Sequence, residues 1–291
     1  MKERIQKVLA NAGVASRRNI EEMVRQGRVA VNGKVPTDLP VLIDPEKDRV
    51  EVDGEKVRLG SGPRAKRGKG AAAEGGSAVG PRLYLLMHKP KGVYTTNVAQ
   101  GEQVRAIDLL PPDLPGRVYP VGRLDADSRG LLLLTNDGEL TNRLTHPRYG
   151  VPKTYRAVVD GQVRPQTLQE LERGIWLADP KSGKGFKTGR SHIKVVKKGR
   201  DKNVLEITIR EGRNGQVRRV LARLGHKVRD LMRVKMGPLT LHGLGPGQVR
   251  PLTPREVREL RQLPRRGEQR DTAAAAKSPG REVSGDADFE E

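Results

Sequence analysis

The sequence predicts an α+β protein in two parts: a small module of helices and short β-strands, then a larger domain with a mixed, mainly antiparallel β-sheet and flanking helices. Three observations predict this class. Two short amphipathic helical patterns lead into hairpin signals near the start of the chain. A stretch rich in Gly, Ala and basic residues then divides the chain, and strand and helix patterns are interspersed after it.

The domain boundaries follow from composition. The chain of 291 residues is long enough for two domains. Residues 61–82 lack apolar periodicity and are typical of a flexible linker, and from about residue 265 the apolar pattern is lost again. We therefore predict a first module at 1–60, a linker at 61–82, a second domain at 83–264 and a disordered tail at 265–291.

The first module should contain two helices and a small sheet. One face of the first helix is formed by Ile5, Val8, Leu9 and Ala12. Ser16 suits the N-cap of a second helix, which ends at Gly27. Asn32-Gly33 and Asp53-Gly54 each stand between β-prone runs, which is the strongest local signal for a hairpin.

The second domain combines strands and helices. Residues 131–134, 154–159 and 204–210 have the apolar run or the alternation of β-strands. Capping patterns at Thr167/Glu170 and Thr253/Glu256 predict two helix starts, and a further amphipathic helix containing Val217 should end at Gly225. No glycine-rich phosphate loop follows a strand, so the sequence does not support a nucleotide-cofactor fold.

The chain is strongly basic. Lys and Arg number 56 against 35 Asp and Glu, a net charge of +21, which favours a polyanionic partner bound through its phosphates. A generally basic surface is the alternative, but the cations cluster in identifiable elements. A membrane surface would need large apolar anchors, and aromatic residues make up only 3%. The cations of the first module that we expect to follow a phosphate backbone are Arg4, Lys7, Arg17, Arg18, Arg25 and Arg28.

Several classes of protein are excluded. With no cysteine, the chain has no disulfides and no thiolate nucleophiles, and its five histidines show no ligand spacing, so no metal is expected. No apolar run approaches the ~20 residues that span a bilayer, and the first residues do not form a secretory signal. We expect a cytoplasmic protein with no membrane segment.

A polar loop just before the leucine run 131–134 is the best candidate for chemistry. It contains Arg123, Asp125, Asp127, Ser128 and Arg129. A carboxylate beside a buried strand and near cations suits a nucleophile or a base, although an Asp in a turn more often accepts backbone hydrogen bonds. Residue chemistry alone does not decide between Asp125 and Asp127.

Two resemblances extend this interpretation. Residues 2–60, including RIQKVLANAGVASRRNIEEMVRQGRVAVNGKV, resemble the alpha-L RNA-binding module. The stretch GRLDADSRGLLLLTNDG is similar to the catalytic signature of the ribosomal pseudouridine synthases. HKPKG, KTYRAVV and EGRNGQVRRVLARLGHKVRDLMRVKMGPL resemble further motifs of that family, and the likeness is strongest to its large-subunit enzymes.

The resemblance implies roles for individual residues. Asp125 would be the essential carboxylate, Tyr155 would stack on the target base or assist proton transfer, and Arg218 would pair with Asp125. Lys89, Lys91 and Arg123 would contact the RNA. The implied reaction is isomerisation of a uridine in ribosomal RNA, with 23S rRNA preferred, either free or in an assembling subunit. It needs no cofactor, and the uridine must leave its stack to reach the pocket.

Two other functions fit part of the sequence. A noncatalytic ribosome assembly factor would explain the charge, but not the joint occurrence of Asp125, Tyr155 and Arg218. An RNA methyltransferase carrying the same module would bind S-adenosylmethionine, and the glycine-rich turn that this cofactor needs after a first strand is missing.

Overall fold

A computed structural model of the protein describes residues 1–59, 81–179 and 182–263. The predicted tail at 265–291 lies outside the described residues, as does the predicted linker apart from its last two residues. In the described part no helix combines the length and the apolar character needed to cross a membrane.

The first module has two helices packed on short strands, as expected. Its elements in chain order are β1 Glu3–Arg4, α1 Ile5–Asn11, α2 Arg17–Arg25, β2 Val29–Val31, β3 Leu42–Ile43, β4 Val50–Val52 and β5 Glu55–Val57. Of the face predicted for α1, Ile5, Val8 and Leu9 pack with Ile20 and Val24 of α2 and with Val29 and Val50 of the sheet. This module therefore has a hydrophobic core of its own.

Local signals fixed most of the boundaries in this module. The Ser16 hydroxyl accepts a hydrogen bond from Asn19 N at 3.2 Å and begins α2. Asp53 and Gly54 both have positive φ, and they join β4 to β5 in a tight hairpin. Asn32-Gly33 also forms a turn, but the expected hairpin there is reduced to one bridge between Val31 and Lys34, because β2 pairs with β4 instead.

The second domain is built around one large sheet. Its strands and helices are β6 Tyr84–Lys89, β7 Tyr119–Pro120, β8 Arg129–Thr135, α3 Gly138–Thr145, β9 Lys153–Asp160, α4 Pro165–Arg173, β10 Trp176–Ala178, β11 Gly185–Lys187, β12 His192–Lys197, β13 Lys202–Ile209, α5 Gln216–Arg223, β14 Val228–Met236, β15 Leu239–Thr240, β16 Val249–Pro251 and α6 Pro254–Arg261. Short 3₁₀ helices lie at Ala106–Leu109 and Pro147–Tyr149.

The sheet is mixed and mainly antiparallel, so the predicted class is confirmed. Its main path runs β12-β13-β9-β14-β8-β6-β16, while β15 pairs with β14 and β7 with β8. Among the described strands, the pair of β8 and β14 is parallel and the others are antiparallel. The parallel pair joins the two halves of the sheet directly behind the polar loop.

Helices cover the sheet through separate apolar clusters. Leu205, Ile207 and Ile209 of β13 pack with Val217 and Leu221 of α5. The leucines of β8 are fully buried and alternate between two clusters, one that includes α3 and α6 and one that includes the Ala106–Leu109 turn. The β8 strand is therefore covered on both faces, as a continuous apolar run predicts.

One helix start is confirmed and another is wrong. Thr253 and Glu256 form the expected capping box at α6. Thr167, in contrast, lies inside α4, which begins at Pro165 after Arg164. Proline fixes φ near the helical value and suits the first helical position, so the helix starts two residues before the predicted cap.

Candidate active site

The polar loop between β7 and β8 is fixed by hydrogen bonds on both sides of Asp125. On one side the buried Thr95 hydroxyl donates to Leu124 O at 2.9 Å and lies 3.3 Å from Leu124 N. On the other side Ala126 O accepts from Gly92 N at 2.7 Å. Since both flanking residues are held by the segment after β6, the backbone of Asp125 has a defined position.

Lys89 is a further contact between the polar loop and the segment after β6. Its side chain is fully buried, and Nζ donates to Pro90 O at 2.9 Å and Val93 O at 2.6 Å, with Ala126 O at 3.5 Å. Burial lowers the pKa of Lys89 to about 8, and the nearby carboxylates of Asp127 and Asp125 act in the opposite direction. The expectation that Lys89 contacts RNA is therefore corrected, because its ammonium group is directed at backbone carbonyls under the loop.

Asp125 and Asp127 differ in their contacts. Asp125 is half-buried, and within the described part of the chain its carboxylate has no hydrogen-bond or ion-pair partner. Asp127 is exposed and forms an ion pair with Arg218 at 3.1 Å. The Asp125 carboxylate is thus an acceptor left available to a ligand, whereas the Asp127 carboxylate is paired with Arg218.

Arg218 reaches the loop but does not pair with the predicted residue. Besides the Asp127 carboxylate, Nη2 lies 3.2 Å from Asp127 O and 3.4 Å from Ser128 Oγ, and Nη1 lies 3.3 Å from Val228 O. The expected pair of Arg218 with Asp125 is wrong in this structure. The guanidinium extends from α5 over the end of the loop that enters β8, and this end carries Asp127.

Tyr155 belongs to the same core as the loop. It is 8% exposed on β9 and packs in the cluster that contains Leu124, the residue before Asp125. Its cross-strand partners are Ile207 on β13 and Arg233 on β14. The same hydrophobic cluster therefore positions the Tyr155 ring and the loop that carries Asp125.

Two buried cations near Tyr155 were not predicted. Arg233 is 1% exposed, and its Nε donates to Leu131 O at 2.7 Å, while Nη2 has no hydrogen-bond partner among the described residues. Lys153 is 9% exposed, and burial, followed by the positive charge of Arg233, lowers its pKa to about 8. Cross-strand pairing connects Lys89 to Gly130, Gly130 to Arg233, and Arg233 to Tyr155.

Gly130 permits these cross-strand pairs. Its φ is +111°, and a Cβ at this position would overlap the Arg233 carbonyl oxygen. Only glycine therefore permits the close parallel approach of β8 to β14 behind the loop.

The remaining predicted cations lie on the surface. Arg123 and Lys91 are exposed, whereas Arg129 is engaged with Asp230 at 2.6 Å. The hydrogen bonds from Arg129 hold the pKa of Asp230 below its usual range. In the first module, exposed side chains are found for all six cations expected to bind RNA: Arg4, Lys7, Arg17, Arg18, Arg25 and Arg28.

Three of those six cations have local ion-pair partners. Lys7 pairs with Glu3 at 2.9 Å and Arg25 with Glu22 at 3.3 Å. Arg28 makes a bidentate contact with Asp53, with both distances at 2.7 Å. Arg4, Arg17 and Arg18 form no ion pair with a described carboxylate, so their charge is the most available to phosphates.

Comparison with known proteins identifies both parts of the chain. The sequence profile described as RNA pseudouridylate synthase matches residues 83–223, and the S4 domain profile matches residues 3–45. The combination defines an RNA-modifying enzyme with an attached RNA-binding domain.

Relatives match over nearly the full length. The ribosomal large subunit pseudouridine synthase B of Bacillus subtilis is 41% identical over 263 residues, which cover 90% of this chain and 96% of the relative. An uncharacterized RNA pseudouridine synthase of Aquifex aeolicus is 42% identical over 261 residues, covering 89% and 94%. A crystal structure of a pseudouridylate synthase aligns with a TM-score of 0.59 and 28% identity, over 88% of this chain and 99% of that one. The protein belongs to the RNA pseudouridine synthase family of isomerases, and the resemblance found in its sequence is confirmed.

Proposed function

We propose that the enzyme converts a specific uridine of large-subunit (23S) ribosomal RNA to pseudouridine, with Asp125 as the catalytic carboxylate. The observation that carries the assignment to Asp125 is its half-buried carboxylate, which has no partner in the described part of the chain and stands between two anchored residues. The choice of the large subunit is supported by the name of the Bacillus subtilis relative.

The reaction sets the requirements for this site. The N-glycosidic bond breaks, the uracil turns, and its C5 bonds to the sugar carbon. The C5 proton leaves and N1 gains one, so the atoms balance and no redox change occurs. A carboxylate can serve by attacking the sugar or the base, or by removing a sugar proton. Each route needs a free carboxylate, one that is not already hydrogen-bonded to or paired with another protein group. None of the routes requires a cofactor.

The neighbours of Asp125 take supporting roles in this proposal. Arg218 holds the end of the loop through Asp127 and Ser128. Tyr155, beside Leu124 in the same cluster, would take the role that the resemblance implies, stacking on the displaced uracil or assisting proton transfer.

Exposed cations would bring the RNA to this pocket. Arg123 and Lys91 border the loop and would contact the displaced nucleotide and its phosphates. The module at 1–60 would bind phosphates outside the Asp125 site, so that helical RNA supplies affinity while the site reads one base. We also propose a cytoplasmic location, with free rRNA or an assembling subunit as the substrate.

The test is pseudouridine mapping of ribosomal RNA from cells that lack this protein. The cells are complemented with wild type, Asp125→Asn or Asp127→Asn, two variants that each remove one carboxylate from the same loop. One large-subunit site should lose pseudouridine, and wild type should restore it whereas Asp125→Asn should not. Asp127→Asn should restore it at least in part, because Arg218 keeps its contacts with Asp127 O, Ser128 and Val228. Restoration by Asp125→Asn would remove the catalytic assignment, and loss at a small-subunit site would overturn the target.

A further inference from the structure

We propose that Trp176, on the hairpin formed by β10 and β11, binds an unpaired base of the RNA substrate at a second site outside the Asp125 pocket. This inference rests on RNA being the substrate, but not on which uridine is modified. The hairpin is a separate two-stranded sheet, and the proposed mechanism uses none of its residues.

The tryptophan is presented as an open aromatic surface. Trp176 is 65% exposed, although tryptophan is usually well covered. On one side its ring lies over Gly185, since a Cβ built there would be 3.7 Å from the ring carbon Cε3. Its neighbour Leu177 points inward and is 7% exposed, so the outward direction of Trp176 follows from strand alternation.

The hairpin is anchored to the catalytic domain. The Arg213 guanidinium stacks on Phe186 with 4.0 Å to the ring centroid, and Arg219 of α5 donates to Ala178 O. At its base, Thr188 N donates to Ile175 O at 2.9 Å and Ile175 N to the Thr188 hydroxyl at 3.0 Å. Trp176 is therefore held at a defined distance from α5, the helix that carries Arg218.

Positively charged side chains around the Trp176 ring indicate which kind of molecule binds there. Lys187 is directly opposite Trp176 in the hairpin, and Lys184 lies one residue before Gly185. Both are exposed, and neither forms an ion pair with a described carboxylate. An exposed aromatic ring beside unpaired ammonium groups matches a base with its flanking phosphates, because every base has a π-face and phosphates attract cations.

A protein partner is the competing explanation for an exposed tryptophan, since this residue is also enriched at protein interfaces. The unpaired lysines favour RNA, because a protein surface would have to supply acidic groups for each of them. Stacking also requires that the base be unpaired, so double-stranded RNA should not occupy the site.

The chain offers a direct measurement, because Trp176 is its only tryptophan. We would follow intrinsic fluorescence of the full-length Asp125→Asn protein during titration with an unlabelled oligouridylate, and with a perfect RNA duplex of equal length. The single strand should quench the emission with saturation, whereas the duplex should quench it much less. Quenching by both to the same extent, or by neither, would overturn the proposal.

Variants separate stacking from charge. Trp176→Ala should weaken single-strand binding about tenfold, as loss of one stacked base commonly does, while Trp176→Phe should retain most of the affinity. Lys187→Gln keeps the fluorophore and should shift the quenching curve to higher RNA concentration. Lys197→Gln, an exposed lysine on β12, is the matched control and should leave the curve in place.

Two outcomes distinguish this inference from the proposed function. If wild-type protein modifies rRNA but Trp176→Ala binds and reacts as wild type does, the second site is wrong and the function stands. If saturable quenching occurs but no uridine of 23S rRNA is modified, the second site stands and the proposed target fails. Quenching by ribosomal proteins alone, without RNA, would assign the surface to a protein partner.

Discussion

The hydroxyl of Thr95 contacts both backbone polar groups of Leu124, the residue that precedes Asp125. It donates to the carbonyl oxygen at 2.9 Å and lies 3.3 Å from the amide nitrogen. Thr95 is 6% exposed, so water does not readily replace these contacts. The position of the candidate catalytic carboxylate therefore depends on a buried side chain from another segment of the chain.

Thr95→Val should lower kcat by about tenfold or more while KM changes little, because a shift of the loop affects the transition state more than RNA binding. The unsatisfied Leu124 amide should also lower the free energy of unfolding by about 1–3 kcal/mol. Single-turnover kinetics and denaturant unfolding measure the two effects. Thr95→Ser restores the hydroxyl and should recover most of the activity, and Thr96→Val is the neighbouring control. A fall in kcat that Thr95→Ser does not rescue would refute the positioning role.

Arg218→Lys should lose most activity although it preserves the charge. A lysine ammonium does not reproduce the planar fork that contacts Asp127, Ser128 and Val228 together. We expect a lower kcat with nearly unchanged RNA affinity, measured by single-turnover kinetics and filter binding. Arg223→Lys, at an exposed position near the end of α5, is the control and should behave as wild type. If both variants retained full activity, the loop would not depend on the guanidinium geometry.

Sequence patterns predicted the elements that carry the site better than the contacts within it. The leucine run placed β8, and apolar spacing placed α5, because both depend on burial of one face. Asp125 and Asp127 are only two residues apart, and the direction in which Arg218 extends from α5 decides which of them it meets. That direction comes from packing between distant segments, and no local pattern records it.

The buried cations show a second limit of sequence reasoning. Lys89 was expected to contact RNA, yet it is buried and backbone carbonyls from two segments bind its ammonium group. A usable signal did exist for Lys153. It precedes Tyr155, Ala157 and Val159 at alternate positions, and all four face the buried side of β9.

Lys153→Met should stabilise the protein at neutral pH. The pKa of Lys153 is about 8 in the folded protein and 10.5 ordinarily, so below pH 8 both states are protonated and the folded state bears the full cost of a buried charge. Between pH 8 and 10.5 the unfolded chain binds more protons, and the free energy of unfolding of wild type rises with pH.

The gain from Lys153→Met should therefore be about 1–3 kcal/mol at pH 7 and should shrink towards pH 10.5. Urea unfolding of both proteins across this range provides the measurement. Lys194→Met replaces an exposed lysine on β12 and should give a small, pH-independent difference. A Lys153→Met variant that is less stable than wild type at pH 7 would contradict the burial account of this pKa.

The unpaired cations of the first module should account for more of the salt dependence of RNA binding than the paired ones. Arg17 and Arg18 are exposed with no described carboxylate partner, whereas Arg25 and Arg28 already neutralise Glu22 and Asp53. Each phosphate contact contributes about 0.7–0.9 to the slope of log affinity against log salt. The double variant Arg17→Gln with Arg18→Gln should therefore reduce the slope by about 1.5, and Arg25→Gln with Arg28→Gln by less.

Fluorescence anisotropy with rRNA fragments at several salt concentrations measures these slopes. Turnover at saturating RNA should stay near wild type for both double variants. Equal slopes for the two double variants would mean that local ion pairs do not determine which cations bind phosphate.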